Sequence, residues 1–294
     1  MITVSVPGKV HLMGEHAVVY GKPAFLAAVN LRMRVTVVEG TGKIISSEPI
    51  DHARYAVTFL LNQLKIAKPK KTNVTIDSDI PAGFHLGSSA AVAVGITGAM
   101  MYFHKKIWNP IRINELAYEI EKKQHGAPSG GDNTIVTMGG FIWYRKELEF
   151  LKSIWQLPFK TKLHHFFLID TGKPRETTGE MVAFVAKQPN VQKFCVENEI
   201  QTKRIAVALK ENDEQVFIDA MRKGERSLEE IGVVSKKAIE QIRSIEKSGG
   251  AAKILGGGGK KDGVGYLLCY AHNLPAAGIP ITLGEEGIRL EKKS

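Results

Sequence analysis

From Ile80 to Phe103 the chain passes out of a strand-like run, through Pro81-Ala82-Gly83-Phe84-His85-Leu86-Gly87-Ser88-Ser89, into a stretch of small and apolar residues. A helix that is apolar on nearly every side has to lie inside a fold, so the pattern predicts a buried helix from Ser88 to Phe103. Its longest greasy run, Ala90 to Phe103, is shorter than the roughly 18 residues of a membrane span and contains Thr97 and two glycines. At the start of such a helix the first N–H groups lack intrahelical partners and the macrodipole is positive, so a phosphate could sit there. Ser88 or Ser89 could equally cap the helix, and the two roles are compatible.

The rest of the composition sets bounds. At roughly 150 residues per domain, 294 residues suggest about two lobes. With 44% apolar and 24% charged residues the chain is an ordinary water-soluble globular protein, and disordered, collagen-like and membrane classes are disfavoured. A net charge of +10 suits phosphate- or carboxylate-bearing partners and would also suit nucleic acid. The lysine pairs at Lys70-Lys71, Lys105-Lys106, Lys122-Lys123 and Lys260-Lys261 are scattered and lack interleaved aromatics, so no nucleic-acid partner is expected. Cys195 and Cys269 show no CxxC spacing and read as reduced, packed thiols of a cytoplasmic protein. The alternating start Ile2-Thr3-Val4-Ser5-Val6 reads as a strand, not a signal peptide.

Strands are predicted over 2–6, ending at Pro7-Gly8-Lys9, and over 32–38, 73–76, 141–145, 166–170 and 264–269. Helices are predicted over 53–64, 88–103, 114–124, 178–187, 192–210, 214–221 and 236–246, with Asn114 capping the third and Gly126 ending it. The mixed-polarity segment 148–163 reads as a bridge, which places a lobe boundary near Lys162 and divides the chain into residues 1–162 and 163–294. Eight glycines fall between Gly249 and Gly265, either as a flexible connection or because a ligand approaches the backbone closely.

No GxxxxGK[ST] loop and no GxGxxG behind a strand is present, which removes the two commonest nucleotide fingerprints. Four separated blocks nevertheless fall in a familiar order. They are Pro7-Gly8-Lys9, the run Gly14-Glu15-His16-Ala17-Val18-Val19-Tyr20-Gly21, Leu86-Gly87-Ser88-Ser89-Ala90-Ala91, and Pro128-Ser129-Gly130-Gly131-Asp132-Asn133-Thr134. Together they resemble the GHMP kinase superfamily, and the second block narrows the likeness to the mevalonate kinase family, over residues 7 to about 268.

The resemblance implies an α+β, two-lobe fold. Its N-terminal lobe would be akin to a ribosomal-protein S5 domain 2 and its C-terminal lobe ferredoxin-like, with the cleft between them. It implies ATP and Mg²⁺ as cofactors and mevalonate as the substrate, phosphorylated on its primary alcohol to 5-phosphomevalonate in isoprenoid precursor synthesis. Asp132 corresponds to the family's catalytic carboxylate and Lys9 to its lysine. Gly83, Leu86, Gly87, Ser88, Ser89 and Ala90 correspond to the phosphate loop. Glu121, eleven residues before Asp132, corresponds to the magnesium carboxylate, with Ser89 in preference to Ser88 as the hydroxyl ligand. Glu15 would accept from a substrate alcohol and His16 would donate, and Thr171, Arg175 and Thr177 resemble a segment lining the cleft.

Two loops depart from the pattern. Phe84-His85 stands where a small residue and a glycine are usual. Lys253-Ile254 is followed by Leu255 in place of a hydroxyl, then by four glycines and Lys260-Lys261. Phosphomevalonate kinase, homoserine kinase and the decarboxylase of the same pathway are the neighbouring alternatives, but a phosphorylated acceptor would call for more cations than the Glu15-His16 pair offers. A homodimer is compatible with the sequence.

Overall fold

The computed structural model describes residues 1–66, 69–125, 128–148 and 150–293. Strand β1 (Ile2–Met13) continues through Pro7-Gly8, where an ending was expected. Proline cannot donate to the ladder, but the pairing with β2 (Ala24–Glu39) shifts register between Pro7 and Gly8 and again between His11 and Met13, so bulges carry the strand past it. After β2 come β3 (Ile44–Ser46), α1 (Ile50–Gln63), β4 (Thr72–Ser78), α2 (Ser88–Lys105), α3 (Pro110–His125), α4 (Gly131–Met138), β5 (Phe141–Lys146) and β6 (Lys152–Leu157). The second half comprises β7 (Phe166–Asp170), α5 (Thr178–Val185), α6 (Val191–Glu211), α7 (Glu214–Ile231), α8 (Lys236–Lys247), β8 (Ala251–Ile254), β9 (Tyr266–Tyr270), β10 (Ile279–Pro280) and β11 (Arg289–Lys293).

Among the described residues the strands form two sheets. A seven-stranded sheet has the order β11-β1-β2-β4-β3, with β5 on β2 and β6 on β5, and a four-stranded sheet has the order β10-β7-β9-β8. Helix α2 packs on β1 and β2 and is buried from Ala90 to Met101. Its small residues permit this: a Cβ on Gly95 would stand 2.6 Å from Val35 Cγ2. No helix among the described residues is long and apolar enough to cross a membrane.

Three sequence expectations need correction here. The C-terminal division 163–294 does not hold to its end, because β11 pairs with β1 in the first sheet. Arg32 fixes that return by donating to the carbonyls of Glu286 and Gly287, and Ser5 Oγ donates to Glu291. The middle of the expected bridge at 148–163, residues 152–157, is a hairpin arm. Strand β6 pairs with β5 from Lys146–Lys152 to Phe141–Leu157, and its mixed polarity reflects an edge strand with an open face. Helix α3 starts at Pro110, a residue that suits a first helical turn, and Asn109 Oδ1 accepts from Arg112 N there. Asn114 lies inside that helix, and Gly126 falls outside the described residues.

Candidate active site

Lys9 lies on β1, and its backbone N–H donates to Leu86 O at 3.0 Å, so strand and phosphate loop are joined at this residue. Its side chain is buried, with Nζ 3.1 Å from Asp132 Oδ1. Alternation along the strand turns His11 to the same side, where Nε2 lies 3.4 Å from the same oxygen. Asp132 is in the first turn of α4 and so lies at the positive end of a helix, facing the Lys9 ammonium and the His11 ring. That helix start is fixed against α3: Asn133 Nδ2 donates to Asn114 Oδ1 at 2.6 Å and Asn114 Nδ2 to Thr134 Oγ1 at 3.2 Å. Burial by itself would raise the Asp132 pKa. The Lys9 charge and the His11 hydrogen bond outweigh it and hold the carboxyl well below the usual range. About two-fifths of the side chain (41%) is still exposed, leaving an ionised oxygen acceptor open to a small ligand.

The loop over residues 83–90, expected to hold phosphate, meets this pair at Gly87 and Leu86, both of which lie against Lys9. Gly87 caps α2 with φ 82°, and no side chain caps the helix. Ser88 Oγ donates instead to Glu48 Oε2 at 2.5 Å, and Ser89 Oγ to Glu121 Oε1 at 2.7 Å. The first amides of α2 thus have no side-chain cap, as an anion site requires. Leu86 and Ala90 are buried beside them, and Gly83 lies against the Lys173 side chain. A Cβ on Gly87 would stand 2.8 Å from Lys9 Cγ. Gly87→Ala is therefore expected to cost about 1–2 kcal/mol of stability through left-handed strain and to displace Lys9, lowering turnover as well. Urea unfolding beside a rate measurement checks this, and a fully active variant would separate Gly87 from the position of the lysine.

Glu121 is buried and not a solvated helix charge; the neighbouring Lys122 turns outward to Glu119 and the Tyr118 ring. Its carboxylate also lies 3.3 Å from His52 Nε2. Sequence reading missed His11, His52 and Glu48. His11 could have been found by carrying β1 two residues past Lys9, and His52 from its place on the apolar face His52-Ala56-Leu60 of α1. The Ser89 hydroxyl and Glu121 carboxylate form a hard-oxygen pair of the kind Mg²⁺ prefers. Among the described residues no trio of His, Cys, Asp or Glu gathers round one point, so such an ion would need phosphate and water oxygens as well.

Known proteins resemble this chain in sequence and in fold. The family model for the GHMP kinases N terminal domain matches residues 51–140, from α1 through Glu121 and Asp132. The mevalonate kinase of Archaeoglobus fulgidus is 31% identical over 98% of this chain and 99% of its own. The chain belongs to the mevalonate kinase family. The mevalonate kinase of Pyrococcus horikoshii is 29% identical over 100% of this chain and 98% of its own. Among solved structures, Methanococcus jannaschii mevalonate kinase superposes with a TM-score of 0.81 at 23% identity, covering 99% of this chain and 98% of that one. The L. major mevalonate kinase in complex with R-mevalonate gives 0.79 at 23% identity, covering 92% and 86%. The mixed α+β fold is that of the GHMP kinases.

Within this family member, the residues expected to hold the acceptor are placed unevenly. Glu15 is buried with Oε1 on Lys253 Nζ, which also donates to His11 O at 3.2 Å and Ile254 O at 2.6 Å. Its Oε2 has no partner among the described residues, so one acceptor oxygen remains. His16 Nε2 lies 3.0 Å from Gly257 O, and burial lowers its pKa. A neutral ring facing a carbonyl must donate from Nε2, so the buried Nδ1 can only accept, the reverse of the expected role.

Thr171, Arg175 and Thr177 all have partners within residues 170–265. Thr171 Oγ1 donates to Gly265 O at 2.7 Å and accepts from Val264 N at 2.8 Å. Arg175 is exposed and pairs with Asp262, and Thr177 forms a capping box with Glu180 at the start of α5. Their polar contacts hold together the loops around β7, α5 and β9. The glycine run has a structural cause too: a Cβ on Gly258 would stand 2.1 Å from Val233 O and one on Gly263 2.0 Å from Gly172 O. In the divergent loop Phe84 packs on Tyr266, and Lys260 lies over the Phe184 ring.

Burial, with the Lys9 charge second, pushes His85 down to about 4. An unfolded histidine titrates near 6.5, so below that pH the unfolded chain takes up a proton the folded chain refuses, and stability falls until about pH 4. Between pH 7 and pH 4.5 this linkage is worth about 2 kcal/mol. His85→Leu should remove that share of the acid sensitivity in urea unfolding at the two pH values. An unaltered difference would mean that the ring titrates as it does in water.

Proposed function

We propose that the chain transfers the γ-phosphoryl group of ATP to the primary alcohol of mevalonate, giving 5-phosphomevalonate and ADP. The observation that carries this is the Lys9–Asp132 pair, 3.1 Å apart, in a family member whose α2 start has no side-chain cap. Asp132 accepts a hydrogen bond from the acceptor hydroxyl and aims its oxygen at phosphorus. As a strongly acidic carboxyl it is a weak base, which suits a loose transition state in which the proton leaves late. Lys9 keeps Asp132 ionised and offsets charge on the transferred group, while the α2 amides hold phosphate oxygens in place. Ser89 and Glu121 would hold Mg²⁺, which when bound neutralises charge on the phosphates. The free Oε2 of Glu15 and Nδ1 of His16 are acceptors suited to alcohol protons, which favours an unphosphorylated acceptor over phosphomevalonate. Cys195 and Cys269 are both free and buried, which supports a reducing, cytoplasmic setting.

A coupled ADP-release assay offering mevalonate, phosphomevalonate, homoserine and galactose, with and without Mg²⁺, tests the reading. Mg²⁺-dependent turnover on mevalonate above the other three is expected. Preference for another acceptor would reassign the substrate, and salt-sensitive DNA binding without ATP turnover would overturn the enzyme reading altogether.

A further inference from the structure

His85 holds its backbone at φ 63°, in the left-handed region that glycine occupies without strain. Its ring is wedged against two glycines of the second lobe: a Cβ on Gly256 would stand 2.4 Å from His85 Cγ, and one on Gly265 3.4 Å from Cδ2. The far nitrogen, Nε2, is buried and has no partner among the described residues. The titratable and charged groups acting on the ring are Lys9, Asp132, His11 and His16, the floor of the site itself. Left-handed strain and an unmatched buried polar atom both weigh against an imidazole here, and packing alone would be served better by an apolar side chain. A ligand that completes the hydrogen bond resolves the conflict. Burial keeps the ring neutral, so one nitrogen carries a proton to donate.

We propose that His85 donates from Nε2 to the terminal phosphate of bound ATP, so that one side chain ties the phosphate loop, the Gly256 loop and the reacting phosphoryl group together. The terminal phosphate is the natural recipient because the ring shares its surroundings with Lys9 and Asp132, where that group must sit. This rests on the reading that the cleft binds ATP. It is tested without any acceptor, so a failure to phosphorylate mevalonate would leave the result readable.

Calorimetric titration of wild type, His85→Leu and His85→Gln with ATP and with ADP, in the presence of Mg²⁺, decides it. The leucine keeps the bulk and loses the donor, and should weaken ATP by about tenfold and ADP by much less, with glutamine recovering part of the loss. The KM for mevalonate should stay near the wild-type value. Unchanged ATP affinity in His85→Leu, or equal losses for ATP and ADP, would overturn the assignment. Should a variant fail to fold, ¹⁵N-histidine spectra of the wild type decide: the His85 Nε2 resonance should move on adding an unreactive ATP analogue and not on adding ADP, and no movement would refute the contact.

Discussion

Replacing Asp132 by asparagine should lower kcat by about 10²–10⁴-fold while leaving ATP affinity within about a factor of two. The amide is nearly isosteric, so α4 and its ties to Asn114 survive. What is lost is the negative charge facing Lys9 at 3.1 Å and His11 at 3.4 Å, and with it the acceptor for the substrate hydroxyl. Asparagine can turn an oxygen toward the alcohol, but it cannot hold the Lys9 ammonium against it. Because Lys9 and His11 keep the aspartate ionised far into acid, it should supply no acidic limb to the kcat profile between pH 5 and pH 9. Steady-state rates across that range, with nucleotide binding measured separately, check both statements. A variant with near-normal turnover would remove Asp132 from the reaction.

The largest effect on stability is expected at Lys253. Its side chain is 0% exposed and its ammonium is held by Glu15, with Glu225, also 0% exposed, accepting from Ile254 N at 3.0 Å. Burial drives Glu225 well above the usual carboxylate range despite the pull of Lys253. Lys253→Met leaves the Glu15 carboxylate buried without a counter-charge and should cost about 3–5 kcal/mol. The double change with Glu15→Gln should recover a large part of that, because the pair is then removed together. Chemical unfolding of the two single variants and the double measures the coupling, and additive losses would show that the two side chains act independently.

The site's chemistry was more legible than its architecture. Lys9, Ser89 and Asp132 were readable because each sits in one of the short blocks that carry the family resemblance, and Glu121 was readable from its spacing of eleven residues before Asp132. The structure brings Lys9 to Asp132 and Ser89 to Glu121 as those blocks imply. The substrate residues were less readable, since a sequence does not show how a hydroxyl is spent: Thr171 bonds the Gly265 loop and Thr177 caps α5. Lys253 could be named only as part of a glycine motif, because its partner Glu15 lies 238 positions away. Strand β11 escaped for a related reason. Its pairing with β1 joins the two ends of the chain, and no local pattern in a short charged segment announces a partner that distant. Helix α4 was hidden by its own start, Ser129-Gly130-Gly131, which reads as a turn until the asparagine contacts with α3 are seen.

In the proposed reaction Asp132 and Lys9 together receive the primary alcohol of mevalonate. A crystal structure of the protein with mevalonate and an unreactive ATP analogue tests it most directly. The C5 hydroxyl oxygen should lie about 3 Å from Asp132, with Lys9 alongside and the terminal phosphate opposite. Mevalonate bound with that hydroxyl out of reach of Asp132, in a form that still turns over in solution, would contradict the account.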